Sequence, residues 1–150
     1  MTVLDLPDPA ATAAFGAAIA ARLRAGDVVA LEGGLGAGKT TLARAIVSAL
    51  GYASEVPSPT FTILETYDPP AVRLPVVHAD FYRLEHPDEA AELGLEDYRA
   101  GAALIAEWPD HAGGFAHEPA CLVIALENAG AGRRAIVHPG TDWLGRGPWT

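Results

Sequence analysis

Asp27-Val28-Val29-Ala30-Leu31 leads into Gly33-Gly34-Leu35-Gly36-Ala37-Gly38-Lys39-Thr40, and the chain from Lys39 to Leu50 then sets Leu42, Ala45, Ile46 and Ala49 on one helical face. The uninterrupted apolar run is expected of a strand buried on both faces. The 3.6-residue spacing predicts a helix, and Gly51 sits where a helix C-cap belongs. The stretch therefore reads as strand, glycine-rich turn, helix. Its turn fits G-x-x-x-x-G-K-[ST] in full. Glycines permit positive φ and close approach of the backbone to a phosphate. Successive N–H groups and the helix N-terminus then face the anion. Lys39 supplies charge to the β- and γ-phosphates, Thr40 offers a hydroxyl to Mg²⁺, and Thr41 is placed to reach the α-phosphate. A chance glycine-rich turn would have no reason to carry a strand before it and a helix after it.

Working outward, the rest of the chain predicts alternating strands and helices. Val3 to Leu6 reads as a short strand. Asp8-Pro9 reads as an N-cap with proline at the first helical position, opening a helix through about Arg24 with Phe15, Ile19 and Leu23 as its stripe. Strands are expected over Thr60 to Tyr67, Leu74 to Ala79, Ala102 to Ala106, Cys121 to Leu126 and Ala135 to His138, the last two around a turn at Asn128 to Gly132. Short helices are expected over Pro87 to Leu93 and Leu95 to Ala100. The pattern predicts an α/β fold, a single P-loop NTPase-type domain with a largely parallel central sheet and helices on both faces. The domain is expected over residues 1–140, with a loose tail over 141–150.

Composition narrows the class. The chain has 150 residues, 50% of them hydrophobic, and a net charge of −9; its mean hydropathy is +0.18. That is enough apolar material for one packed domain and argues against global disorder. So acidic a surface should repel nucleic acid and anionic membrane. No apolar stretch reaches the roughly 20 residues that span a bilayer, and the N-terminus has no basic region typical of a signal peptide. A lone cysteine, Cys121, suits a reducing compartment. These features predict a cytoplasmic protein without membrane attachment. The five histidines lack zinc spacing, so no metal other than Mg²⁺ is expected.

Two acids end apolar runs, Asp80 after Val76-Val77-His78-Ala79 and Glu107 after Ala103-Leu104-Ile105-Ala106. In an open parallel sheet the C-terminal strand ends line the ligand crevice. Glu107 is therefore expected in the Mg²⁺ shell with Thr40, and Asp80 as the group that orients water or as a base behind it. The spacing barely separates these two roles. Ser58-Pro59-Thr60 lies where γ-phosphate-sensing segments occur, so Ser58 and Thr60 are candidate switch residues.

Taken in order, these residues resemble the TsaE family, the P-loop ATPases of bacterial tRNA threonylcarbamoyladenosine synthesis. The resemblance runs through about Gly140. It rests on Leu35-Gly36-Ala37-Gly38-Lys39-Thr40-Thr41, Ser58-Pro59-Thr60-Phe61-Thr62 and His78-Ala79-Asp80-Phe81-Tyr82-Arg83-Leu84. It continues through Glu92-Leu93-Gly94-Leu95 with Tyr98, Glu107-Trp108-Pro109 and Gly132-Arg133. The chain departs from the family at Gly34, where an Asp is usual, so the site has no acid there. The resemblance implies Mg-ATP held at Lys39, Thr40 and Thr41, Mg²⁺ contact by Thr40 and Glu107, and an essential Asp80. It implies TsaD and TsaB as protein partners, with tRNA met only through their complex. It assigns no oligomeric state.

The remaining candidates each carry two readings. Trp108 covers the nucleotide or a partner, or is a packing residue at a strand end. Arg133 clamps the nucleotide, or is a solvated turn residue. Tyr82 and Arg83 meet a partner, or brace the Asp80 loop. His78 shares a strand face with Asp80 and can hydrogen-bond locally. Two rival functions use the same loop: a nucleotide-gated binding module with negligible turnover, and a small-molecule kinase. Against the kinase, Arg73, Arg83 and Arg99 are scattered singly, with no arginine-rich lid.

Overall fold

The computed structural model describes residues 1–56 and 63–147, so Ser58 and Thr60 lie outside the described residues. Its strands are β1 (Thr2–Leu6), β2 (Val28–Glu32), β3 (Leu64–Tyr67), β4 (Val76–Asp80), β5 (Ala103–Glu107), β6 (Cys121–Ala129) and β7 (Gly132–Pro139). The helices are α1 (Pro9–Arg22), α2 (Lys39–Ala49), α3 (Asp88–Glu92) and α4 (Leu95–Arg99). One mixed sheet takes the order β1-β7-β6-β2-β5-β4-β3. Its centre, β6-β2-β5-β4, is parallel. Both flanks are antiparallel, β7 and β1 on one side and β3 on the other. The expected largely parallel sheet is thus confined to the centre. The β6–β7 hairpin turns at residues 130–131 and runs further than its apolar residues suggested, because Glu127 pairs across the ladder with Arg134.

Strand alternation sends the core to two faces. Val29, Leu31, Val76 and Ile105 meet α1 and α2 through Phe15, Ile19, Leu42 and Ile46. Val28, Ala30, Val77 and Leu104 meet the other face, which carries Leu84, Ala90, Leu95 and Phe115. Helix α1 starts where its cap dictates: Asp8 accepts a 2.8 Å hydrogen bond from the Ala11 N–H, and Pro9 follows. Gly16 lets α1 and α2 cross closely, since a Cβ there would stand 2.6 Å from Ala45 Cβ.

Residues 141–147 are not loose. Thr141–Trp143 forms a 3-10 turn, and Trp143 is fully buried, its Nε1–H donating to the Ala120 carbonyl at 2.7 Å. Arg146 stacks on that ring and donates to buried Asp27 at 2.6 Å. A large aromatic ring and a buried carboxylate waiting for a cation hold the segment down through Gly147. Trp149 lies outside the described residues. No helix among the described residues is long and apolar enough to cross a membrane.

Candidate functional site

The loop from Gly33 to Gly38 joins the C-terminal end of β2 to α2, with β5 and β6 on either side of β2. Gly38 has φ +101° and caps α2 without a side chain, a conformation that an L-residue with a Cβ adopts at a cost. The first turn of α2 therefore presents Lys39, Thr40 and Thr41 at the sheet's C-terminal edge. Asp80 and Glu107 end adjacent strands and lie opposite each other in the ladder. Both arrive at this edge, as their strand-end positions predict.

The geometry centres on Glu107, whose carboxylate is buried at 2% exposure. Its Oε1 accepts from the Thr40 hydroxyl at 2.7 Å, and its Oε2 lies 2.7 Å from His78 Nε2. Lys39 is also buried; its Nζ donates to the Gly33 and Gly34 carbonyls at 2.7 Å each and stands 4.3 Å from the centre of the Trp108 ring. Burial lowers the Lys39 pKa, while Glu107 and Asp80 push it back up. Burial also raises the Asp80 pKa, against a hydrogen bond from the Tyr82 N–H at 3.0 Å that lowers it; the Glu107 charge adds to the rise.

Trp108 adopts φ 54°, the left-handed region, which costs a residue with a Cβ about 1–3 kcal/mol. Its ring lies between Lys39, Tyr82 and His111. It packs at the strand end, as one of its two readings had it, and its ring also lies against the Lys39 ammonium. Tyr82 lines the same cleft and braces Asp80 through its backbone, while Arg83 is exposed and outside the lining.

Two adjoining clefts meet at Arg133. One, of about 440 Å³, is lined by Leu35, Gly36, Lys39, Thr40, Asp80, Glu107 and Trp108. The other, of about 220 Å³, is lined by Leu6, Pro9, Thr12, Ala37, Leu126 and Gly132. Gly38, Thr41 and Arg133 line both. The Arg133 side chain lies over Gly38, so close that a Cβ there would sit 3.2 Å from its Nε. Nothing in the sequence pattern points to the 220 Å³ cleft, which forms where α1, the loop and the β6–β7 hairpin converge. The sequence also left His78 without a partner. The signal was its position two residues before Asp80, on the strand face that carries the acid.

The oxygen donors of Thr40 and Glu107 suit a hard divalent cation. Among the described residues no cluster of three or more His, Cys, Asp or Glu forms a metal cage. Mg²⁺ is commonly held by one or two protein oxygens together with substrate phosphates, and Thr40 and Glu107 are oxygen donors of that kind.

Fold and site together define an α/β domain with a glycine-rich phosphate-loop motif at the C-terminal edge of its parallel strands. The model of one family, threonylcarbamoyl adenosine biosynthesis protein TsaE, matches residues 6–136, and the chain belongs to that family. It is 36% identical over 146 residues to the tRNA threonylcarbamoyladenosine biosynthesis protein TsaE of Nostoc sp., covering 93% of this chain and 86% of the relative. It is 43% identical over 102 residues to the Bacillus subtilis protein of that name, covering 67% of this chain and 62% of the relative, so the match spans less than two thirds of that protein. The crystal structure of Bacillus subtilis YdiB superposes with a TM-score of 0.72 at 29% identity, over 94% of this chain and 86% of that one.

Proposed function

We propose that the protein binds and hydrolyses Mg-ATP in the synthesis of N6-threonylcarbamoyladenosine in tRNA, supporting turnover of a TsaB–TsaD transferase. The observation that carries the reading is the 2.7 Å contact between the Thr40 hydroxyl and the buried Glu107 carboxylate beside the phosphate loop. The polyphosphate lies along the loop N–H groups, and the nucleoside extends past Arg133 into the cleft bearing Thr12 and Leu126. Lys39 exchanges its loop carbonyls for phosphate oxygens. Thr40 and Glu107 hold Mg²⁺, which when bound neutralises charge on the β- and γ-phosphates. Asp80, half-buried across the ladder from Glu107, orients the attacking water. The net charge of −9 supports a role in which tRNA is gripped by other subunits.

The test is Mg²⁺-dependent ADP release by the purified protein, alone and with the TsaB–TsaD pair. Slow release that the pair stimulates is expected. Unstimulated release at the same slow rate would move the reading to a nucleotide-gated binding module or to a kinase whose acceptor is missing.

A further inference from the structure

We propose that His78 is a positioning residue for this site, fixing the Glu107 carboxylate so that Oε1 faces Thr40 and the metal. This rests on the Mg²⁺ reading above. His78 sits in the centre of β4, fully buried, two register positions behind the Asp80–Glu107 pair. Its Nε2 reaches Glu107 Oε2 at 2.7 Å, which places the ring proton on Nε2 as donor. Its Nδ1 is buried with no hydrogen-bond partner among the described residues. An unpaired buried nitrogen costs stability, a cost that a leucine or phenylalanine filling the same space would not carry. The polar ring therefore serves the carboxylate rather than the packing.

The consequence is geometric. A carboxylate on a strand end can rotate, and only one of its oxygens can serve Thr40. With Oε2 held from behind by a group on a neighbouring strand, the Oε1 lone pairs stay aimed at the first turn of α2. Residues that orient a metal ligand in this way typically change metal affinity or activity by about 10–100-fold when replaced.

The test compares H78Q, H78N and H78L, measuring binding of a fluorescent ATP analogue across a Mg²⁺ titration and without Mg²⁺, with thermal unfolding as the control. Glutamine carries its amide nitrogen near the position of Nε2, and asparagine near that of Nδ1. H78Q should keep the Mg²⁺ half-saturation within about threefold of wild type. H78N and H78L should raise it by about 10–100-fold, with nucleotide affinity in the absence of Mg²⁺ within twofold of wild type. In an E107Q background the H78N effect should disappear, because the two side chains act as one unit. Wild-type Mg²⁺ dependence in a folded H78N overturns the proposal. So does unfolding of all three variants, which would make His78 a structural residue. If wild type itself shows no Mg²⁺ dependence, or E107Q matches wild type, the metal assignment falls and takes the His78 proposal with it; a normal E107Q defect with a silent H78N refutes His78 alone.

Discussion

The two ends of the central sheet each bury a carboxylate, and they use it differently. At the N-terminal edge Asp27, 3% exposed, accepts from the Arg146 guanidinium at 2.6 Å and from the Arg24 N–H at 2.7 Å. Its charge is answered by a fixed cation from the chain itself. At the C-terminal edge Glu107 is held by a hydroxyl and an imidazole, and the nearby Lys39 spends its hydrogen bonds on loop carbonyls. The first arrangement ties the residues after Gly140 to the start of β2. The second keeps a buried carboxylate oriented but without a guanidinium or ammonium bonded to it, which is the condition in which a metal gains most by binding.

The comparison breaks most readily at Asp27. D27A leaves the half-buried Arg146 guanidinium without its carboxylate, and should lower unfolding free energy by up to about 3–5 kcal/mol in urea titration. Nucleotide affinity of the folded fraction should not change. The same treatment at the other edge should have the opposite profile. K39A should weaken ATP binding, and E107Q should slow Mg²⁺-dependent turnover, each by about 10²–10³-fold, or about 3–4 kcal/mol, while both keep a melting temperature close to wild type. Large destabilisation by E107Q would mean that the two carboxylates are alike.

Smaller effects sharpen the contrast. Gly16 stands where α1 crosses α2, between the two edges. G16A gains about 1 kcal/mol of helix propensity but drives a Cβ into Ala45, an overpacking cost of about 1–3 kcal/mol. A net loss of about 1 kcal/mol is expected by thermal unfolding. Cys121, paired with Val28 at the Asp27 end, has its thiol pushed up to about 12 by burial. Above the ordinary thiol value the unfolded chain releases a proton that the native chain keeps, so stability falls as pH rises from about 9 to about 12. The slope is at most about 1.4 kcal/mol per pH unit. C121A should flatten the cysteine's part of that decline; an unchanged pH profile in the variant would refute it.

Local signals make much of the molecule legible in the sequence. The Asp8-Pro9 cap, the apolar run of β2 and the glycine pattern before Lys39 are written in contiguous residues, so the elements they predict appear within a few residues of expectation. The strand-end logic also placed Asp80 and Glu107 at one edge. The anchoring of Trp143 was not legible, because nothing near it announces a buried partner; Ala120 and Asp27 lie far along the chain. For the same reason His78 reads in the sequence only as a strand residue able to hydrogen-bond locally, with no partner named. Its significance depends on β4 lying beside β5 in parallel, a pairing that joins residues 29 positions apart.

By itself the sequence determined the class: a phosphate loop between strand and helix, two acids at strand ends, and an acidic surface. Those features depend on spacing within a few residues and on composition. Tertiary structure alone decided which carboxylate meets Thr40, that Arg133 lies over Gly38, and that residues 141–147 close the far end of the sheet. Each of those contacts depends on the register and order of strands distant in the chain, which local patterns do not encode.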